Sequence, residues 1–166
     1  MRKMVVLSTL VVALLLVNWS IFQKEQLLKQ GETVYFKLAP YDPRSLMQGD
    51  YMELNYEMAE KIRSILEQNR LIDSYTTSFD GLVRIELDDR NVAQFAGLTT
   101  VSQSGQDLLV EFRYRNGVIK FATNEFFFEE GKADRFDQAM YGEFRLGQDG
   151  ELLLVSLRDE KFNKLD

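Results

Sequence analysis

Residues 41–56 read YDPRSLMQGDYMELNY, and this stretch decides how the rest of the chain is understood. Asp42 before Pro43 initiates a turn, because its carboxylate can accept backbone N–H bonds and the proline fixes its own φ. Arg44 carries a planar fork able to pair with Asp42 or Asp50. Gly49 permits a positive φ just ahead of the next element. From Tyr51 the pattern alternates: Met52, Leu54 and Tyr56 form one apolar face, and Tyr51, Glu53 and Asn55 form the other. The stretch therefore reads as a turn followed by a half-buried strand. Leu54 and Tyr56 are expected in the core. Arg44, Asp50 and Tyr51 are the groups left to meet a partner or ligand.

Working back towards the amino terminus, Arg2 and Lys3 precede residues 4–22, MVVLSTLVVALLLVNWSIF, which contain no charge. As a helix rising about 1.5 Å per residue, that run reaches about 28 Å, close to the hydrocarbon thickness of a bilayer. Trp19 near its outer end suits the membrane interface, and Lys24 closes the run. A polar face is missing, which argues against a buried core helix. A cleaved signal peptide shares the basic start, but the run is long for one and no A-x-A-like site follows. With no Cys in the chain, lipidation on Cys is excluded. The segment reads as an uncleaved single-span anchor. The excess of positive charge before it places the amino terminus in the cytoplasm and the remainder on the periplasmic side. The expected organisation is a membrane anchor with a short juxtamembrane helix over residues 1–30, then an extracytoplasmic domain over 31–166.

That outer part is acidic. With Arg2 and Lys3 set aside, 18 basic residues face 26 acidic ones, a net of −8. Such a domain is a poor binder of polyanions, so neither nucleic acid nor an anionic lipid surface is an expected partner of it. A Cys-free chain fits an extracytoplasmic compartment.

Working forward, residues 22–30 continue the membrane helix and Gly31 stops it. Residues 32–38 (ETVYFKL) form a strand, and residues 39–50 form the proline-interrupted loop. Residues 57–70 (EMAEKIRSILEQNR) are the principal amphipathic helix, with Met58, Ile62, Ile65 and Leu66 on its core stripe. Strands follow at 82–87, 92–98, 107–114, 118–122, 124–128, 141–146 and 151–158. Asn116-Gly117 marks a type I′ hairpin, and the glycine-flanked run 147–150 marks another. Residues 129–139 are a loop or a short helix. The sum is α+β: a transmembrane helix, then a mainly antiparallel sheet of about seven to nine strands with one principal helix.

Residues 49–56 have the form G-D-Y-x-x-L-x-Y, and this octapeptide resembles the motif for which the GDYXXLXY protein family is named. Other stretches resemble that family's layout: the DPRS-L run before Gly49, the aromatic strand ending in Glu-Glu-Gly at 126–131, Tyr141-Gly142-Glu143, and Leu-x-x-Leu-Arg-Asp-Glu at 154–160. The resemblance implies a membrane-associated bacterial protein. The motif positions Asp42, Pro43, Arg44, Gly49, Asp50, Tyr51, Leu54 and Tyr56 are the candidate structural and partner-binding residues.

Chemistry is constrained from the start by the absence of His. No Ser-His-Asp or Cys-His arrangement can form within the chain, and zinc sites lack their usual ligands. Neither a P-loop nor G-x-G-x-x-G occurs. Asp42 and Asp50 flank one loop without a calcium pattern. Asp88-Asp89 and Glu129-Glu130 read as solvated turn residues. No cofactor is expected. One catalytic alternative remains: residues 43–50 distantly resemble the type I signal peptidase stretch, which would make Ser45 the candidate for a Ser-dependent membrane hydrolase, or the fold a degenerate relative. Aligned on Leu46 and Gly49-Asp50, however, Ser45 takes a threonine position, the nucleophile's place falls on Tyr41, and no lysine partner is evident. The favoured reading is a non-enzymatic, membrane-anchored domain working through protein contacts with an integral membrane partner.

Overall fold

The computed structural model describes residues 2–39, 51–72, 78–99 and 108–165. The chain opens with one unbroken helix, α1 (Arg2–Gln30), whose residues 3–30 are long and apolar enough to cross a membrane. None of its apolar window is buried against the rest of the chain. The helix ends where expected: the Gly31 N–H donates to the Leu27 carbonyl at 2.8 Å, and the chain turns directly into β1 (Glu32–Lys37).

The remainder is α+β. Ten strands lie in three antiparallel sheets among the described residues. The first sheet, in the order β1-β8-β9-β10, joins β1 to β8 (Tyr141–Leu146), β9 (Leu152–Arg158) and β10 (Lys164–Leu165). The second is a short ribbon of β2 (Tyr51–Glu53) and β7 (Glu125–Phe127). The third runs β4-β3-β5-β6, made of β3 (Ser78–Leu87), β4 (Ala93–Thr99), β5 (Leu108–Arg115) and β6 (Val118–Lys120). The principal helix α2 (Glu57–Gln68) buries Met58, Ile62 and Leu66, and a single-turn helix α3 (Ala133–Phe136) buries Phe136. One continuous core joins these parts, with Phe36, Phe144 and Leu157 from the first sheet, Ile85 and Phe112 from the third, and Ile62 from α2.

Several details depart from the sequence expectation. The strands divide among three sheets rather than one. The strand expected over 51–56 leaves its ladder after Glu53, because the backbone of Leu54 bonds to Asn124 and Tyr56 bridges to Leu38 instead. β3 starts at Ser78, not 82, and runs straight through Gly81. A Cβ at Gly81 would lie 2.8 Å from the ring of Phe112, its partner across the ladder, so the glycine is where an aromatic side chain covers the backbone. Near the end of the chain, β10 is held by a turn in which Asp159 Oδ1 accepts from the N–H groups of Lys161 and Asn163. Asn116 and Gly117 both have positive φ, as a type I′ turn demands.

Candidate functional site

The described part of the motif splits into a buried half and an exposed half. Leu54 and Tyr56 are each 1% exposed. The Leu54 N–H donates to the Asn124 carbonyl at 2.6 Å, and Asn124 Nδ2 donates back to the Leu54 carbonyl at 3.2 Å and to that of Ile119 at 3.3 Å. One buried asparagine thereby takes over the hydrogen bonds that a continuing ladder would have made. The Tyr56 ring packs against Phe36, Phe121 and Phe144, with centroids 5.5–6.1 Å apart and steep interplanar angles, the edge-to-face arrangement that aromatic quadrupoles prefer. Its hydroxyl donates to the Thr123 carbonyl at 2.9 Å. Burial pushes the phenol far above its ordinary pKa, so it remains a neutral donor. Tyr56 is a packing residue with a hydrogen-bonding tip.

Tyr51 behaves differently. In the β2–β7 ribbon it pairs with Phe127, Met52 with Phe126, and Glu53 with Glu125. Strand alternation puts Met52 inward, where it is buried, and sends Tyr51, Glu53, Glu125 and Phe127 to the outer face. There the Tyr51 and Phe127 rings lie 5.8 Å apart, and Phe127 is 69% exposed. Beside them two carboxylates stand directly opposite each other, a pairing that costs stability within a sheet.

A second polar centre lies in the first sheet. Glu143 and Ser156 are buried, and Arg158 is mostly so. Three donors converge on Glu143 Oε2: the Ser156 hydroxyl at 2.6 Å, Arg158 Nε at 2.8 Å and Arg158 Nη2 at 2.5 Å. Burial raises the carboxyl's pKa, but the Ser156 and Arg158 bonds together outweigh it and hold it below its ordinary value. A carboxylate so stabilised is a weak base, and the Ser156 hydroxyl donates a hydrogen bond to it while keeping its own proton.

A model of the family described as GDYXXLXY protein matches residues 13–157. The chain belongs to the GDYXXLXY family. No curated protein and no solved structure matches it.

Among the GDYXXLXY letters, Leu54 and the closing Tyr56 are fixed by the core, whereas Tyr51 faces outward beside Phe127. Asp42, Pro43, Arg44, Gly49 and Asp50 lie outside the described residues, as does Ser45 with any approach of a lysine to it. Two of the other stretches that resemble the family layout meet: Glu143 of Tyr141-Gly142-Glu143 is the partner of Arg158 in the 154–160 run. Asn124 and this Glu143–Ser156–Arg158 group are what sequence reading missed. In YGEFRL, Glu143 shares its strand parity with Arg145, so alternation alone gives no sign that it is buried. Among the described residues, no group of three His, Cys, Asp or Glu side chains is placed to hold a metal ion. An open groove of about 530 Å³ between the end of α2 and the third sheet is lined there by Ile65, Leu71, Phe79, Leu98 and neighbours, none of them ionisable.

Proposed function

We propose that this GDYXXLXY protein is a membrane-anchored extracytoplasmic domain that acts by binding an integral membrane protein, not by catalysis. The observation that carries this reading is the outer face of the β2–β7 ribbon. Tyr51 and Phe127 expose an aromatic pair that the core does not need, and Glu53 and Glu125 face each other at a cost to the ribbon. Groups that the fold would be better without are explained by a partner that covers them. The complementary surface is apolar with a basic residue, which would fill over the rings and neutralise the facing carboxylates. α1 keeps the domain at the membrane, where such a partner resides, and the positive charge of Arg2 and Lys3 supports an amino terminus in the cytoplasm.

Photocrosslinking from position 127 in native membranes tests this. A discrete adduct with an integral membrane protein is expected, weakened by Glu53→Lys together with Glu125→Lys. No specific adduct, or the same adducts from a probe at the exposed Leu71 just beyond α2, would sink the reading.

A further inference from the structure

We propose that α1 carries a self-association seam centred on Asn18, and that its occupant is the same helix of a second copy of this chain. The seam is Met4, Ser8, Val11, Leu15, Asn18 and Phe22, spaced four, three, four, three and four residues apart. That alternation is the a/d pattern of a parallel two-helix supercoil. Nothing among the described residues covers it: α1's apolar window is wholly unburied.

Asn18 is what turns an apolar stripe into a docking surface. It lies six residues inward of Lys24, about 9 Å along the helix, and so within the hydrocarbon if α1 spans the membrane. One of its N–H groups donates to the Leu14 carbonyl at 2.8 Å. Its Oδ1 and second N–H have no partner among the described residues, and lipid offers none. A carboxamide holds both a donor and an acceptor, so two Asn18 side chains meeting across a two-fold axis satisfy each other. A second copy, inserted the same way, presents its Asn18 at the same depth.

The described residues of the outer domain leave this face open. It rests on α1 through Leu27, whose Cδ1 lies 3.2 Å from where a Cβ on Gly147 would be, and through the Lys24–Glu151 ion pair. Nine residues separate Asn18 from Leu27, which at about 100° per residue puts them about 180° apart around the helix. The domain thus hangs from one side of α1 and the seam faces the other. This inference rests on α1 spanning the membrane and is independent of the ribbon contact proposed above.

The chain's lack of Cys makes the test clean. Single substitutions Val11→Cys, Leu15→Cys and Phe22→Cys on the seam, and Ala13→Cys and Leu16→Cys opposite it, are made in the full chain and oxidised in native membranes. Fractionation comes first: recovery of the chain in the soluble fraction would remove the anchor and the dimer with it. Disulfide-linked dimers are expected at the three seam positions and only background at the other two. In the Leu15→Cys chain, Asn18→Leu should lower dimer yield about threefold to tenfold, and Asn18→Gln should retain it. Equal crosslinking at all five positions, none at any, an adduct with a different protein, or no effect of Asn18→Leu would each overturn the proposal.

Discussion

Two tyrosines of one motif do different work, and substitution should separate them. Removing the Tyr56 ring leaves a cavity among Phe36, Phe121 and Phe144, so Tyr56→Ala should cost about 3–5 kcal/mol. Tyr56→Phe should cost about 1 kcal/mol for the bond to Thr123. Tyr51→Ala should cost about 1 kcal/mol or less, because it gives up one half-exposed ring contact. Urea unfolding of the detergent-solubilised chain checks all three; equal losses at Tyr51 and Tyr56 would contradict the division. Glu143 makes a pH prediction. Its folded pKa lies below its ordinary value near 4.5, so its stabilisation is fully present above that pH and is lost as pH falls through the folded value. Thermal unfolding measured downward from pH 7 should show the loss below about pH 4.5, and Glu143→Gln should flatten that limb. Breaking the pair from the other side, Arg158→Met should cost about 3–5 kcal/mol, since it strands a buried carboxylate.

At the scale of elements, the junction between α1 and the first sheet leaves no room for a side chain at Gly31. A Cβ on Gly31 would come 2.5 Å from the Leu27 carbonyl oxygen and 3.0 Å from Arg145 Cβ. Both neighbours belong to packed backbone or its first side-chain atom, so neither can swing aside. Gly31→Ala should therefore force the helix off the β8–β9 hairpin at about 1–3 kcal/mol, read as new protease cleavage between residues 24 and 32; a protected junction would show that it tolerates the extra carbon. Elements were unevenly legible. α1, α2, the Asn116-Gly117 hairpin and β8 followed from periodicity and turn chemistry, because their signals are local. β2 is shorter than its alternating run 51–56, since the residues after Glu53 turn to Asn124, some seventy positions away. β3 reaches four residues further back than the alternating run 82–87, because Gly81 continues the ladder under the ring of Phe112.

At the scale of the whole molecule, the apolar helix and the positive charge before it predict where the two ends of the chain lie. A reporter active only outside the cytoplasm, fused to the carboxyl terminus, should be active, and replacing Arg2 and Lys3 by Glu should lower that activity. A fusion active only in the cytoplasm would refute the orientation. The sequence by itself determined the apolar helix, the α+β class, the family and the absence of His and Cys chemistry. Each of these depends on residue identity or short-range spacing, which no partner elsewhere in the chain can alter. Tertiary structure alone decided that the strands form three sheets, that Leu54 answers to Asn124, that Glu143 answers to Arg158, and that Tyr51 stands with Phe127 on an acidic outer face. These are pairings between distant segments, settled by which side chains fill one shared core, and local pattern does not encode the choice of partner.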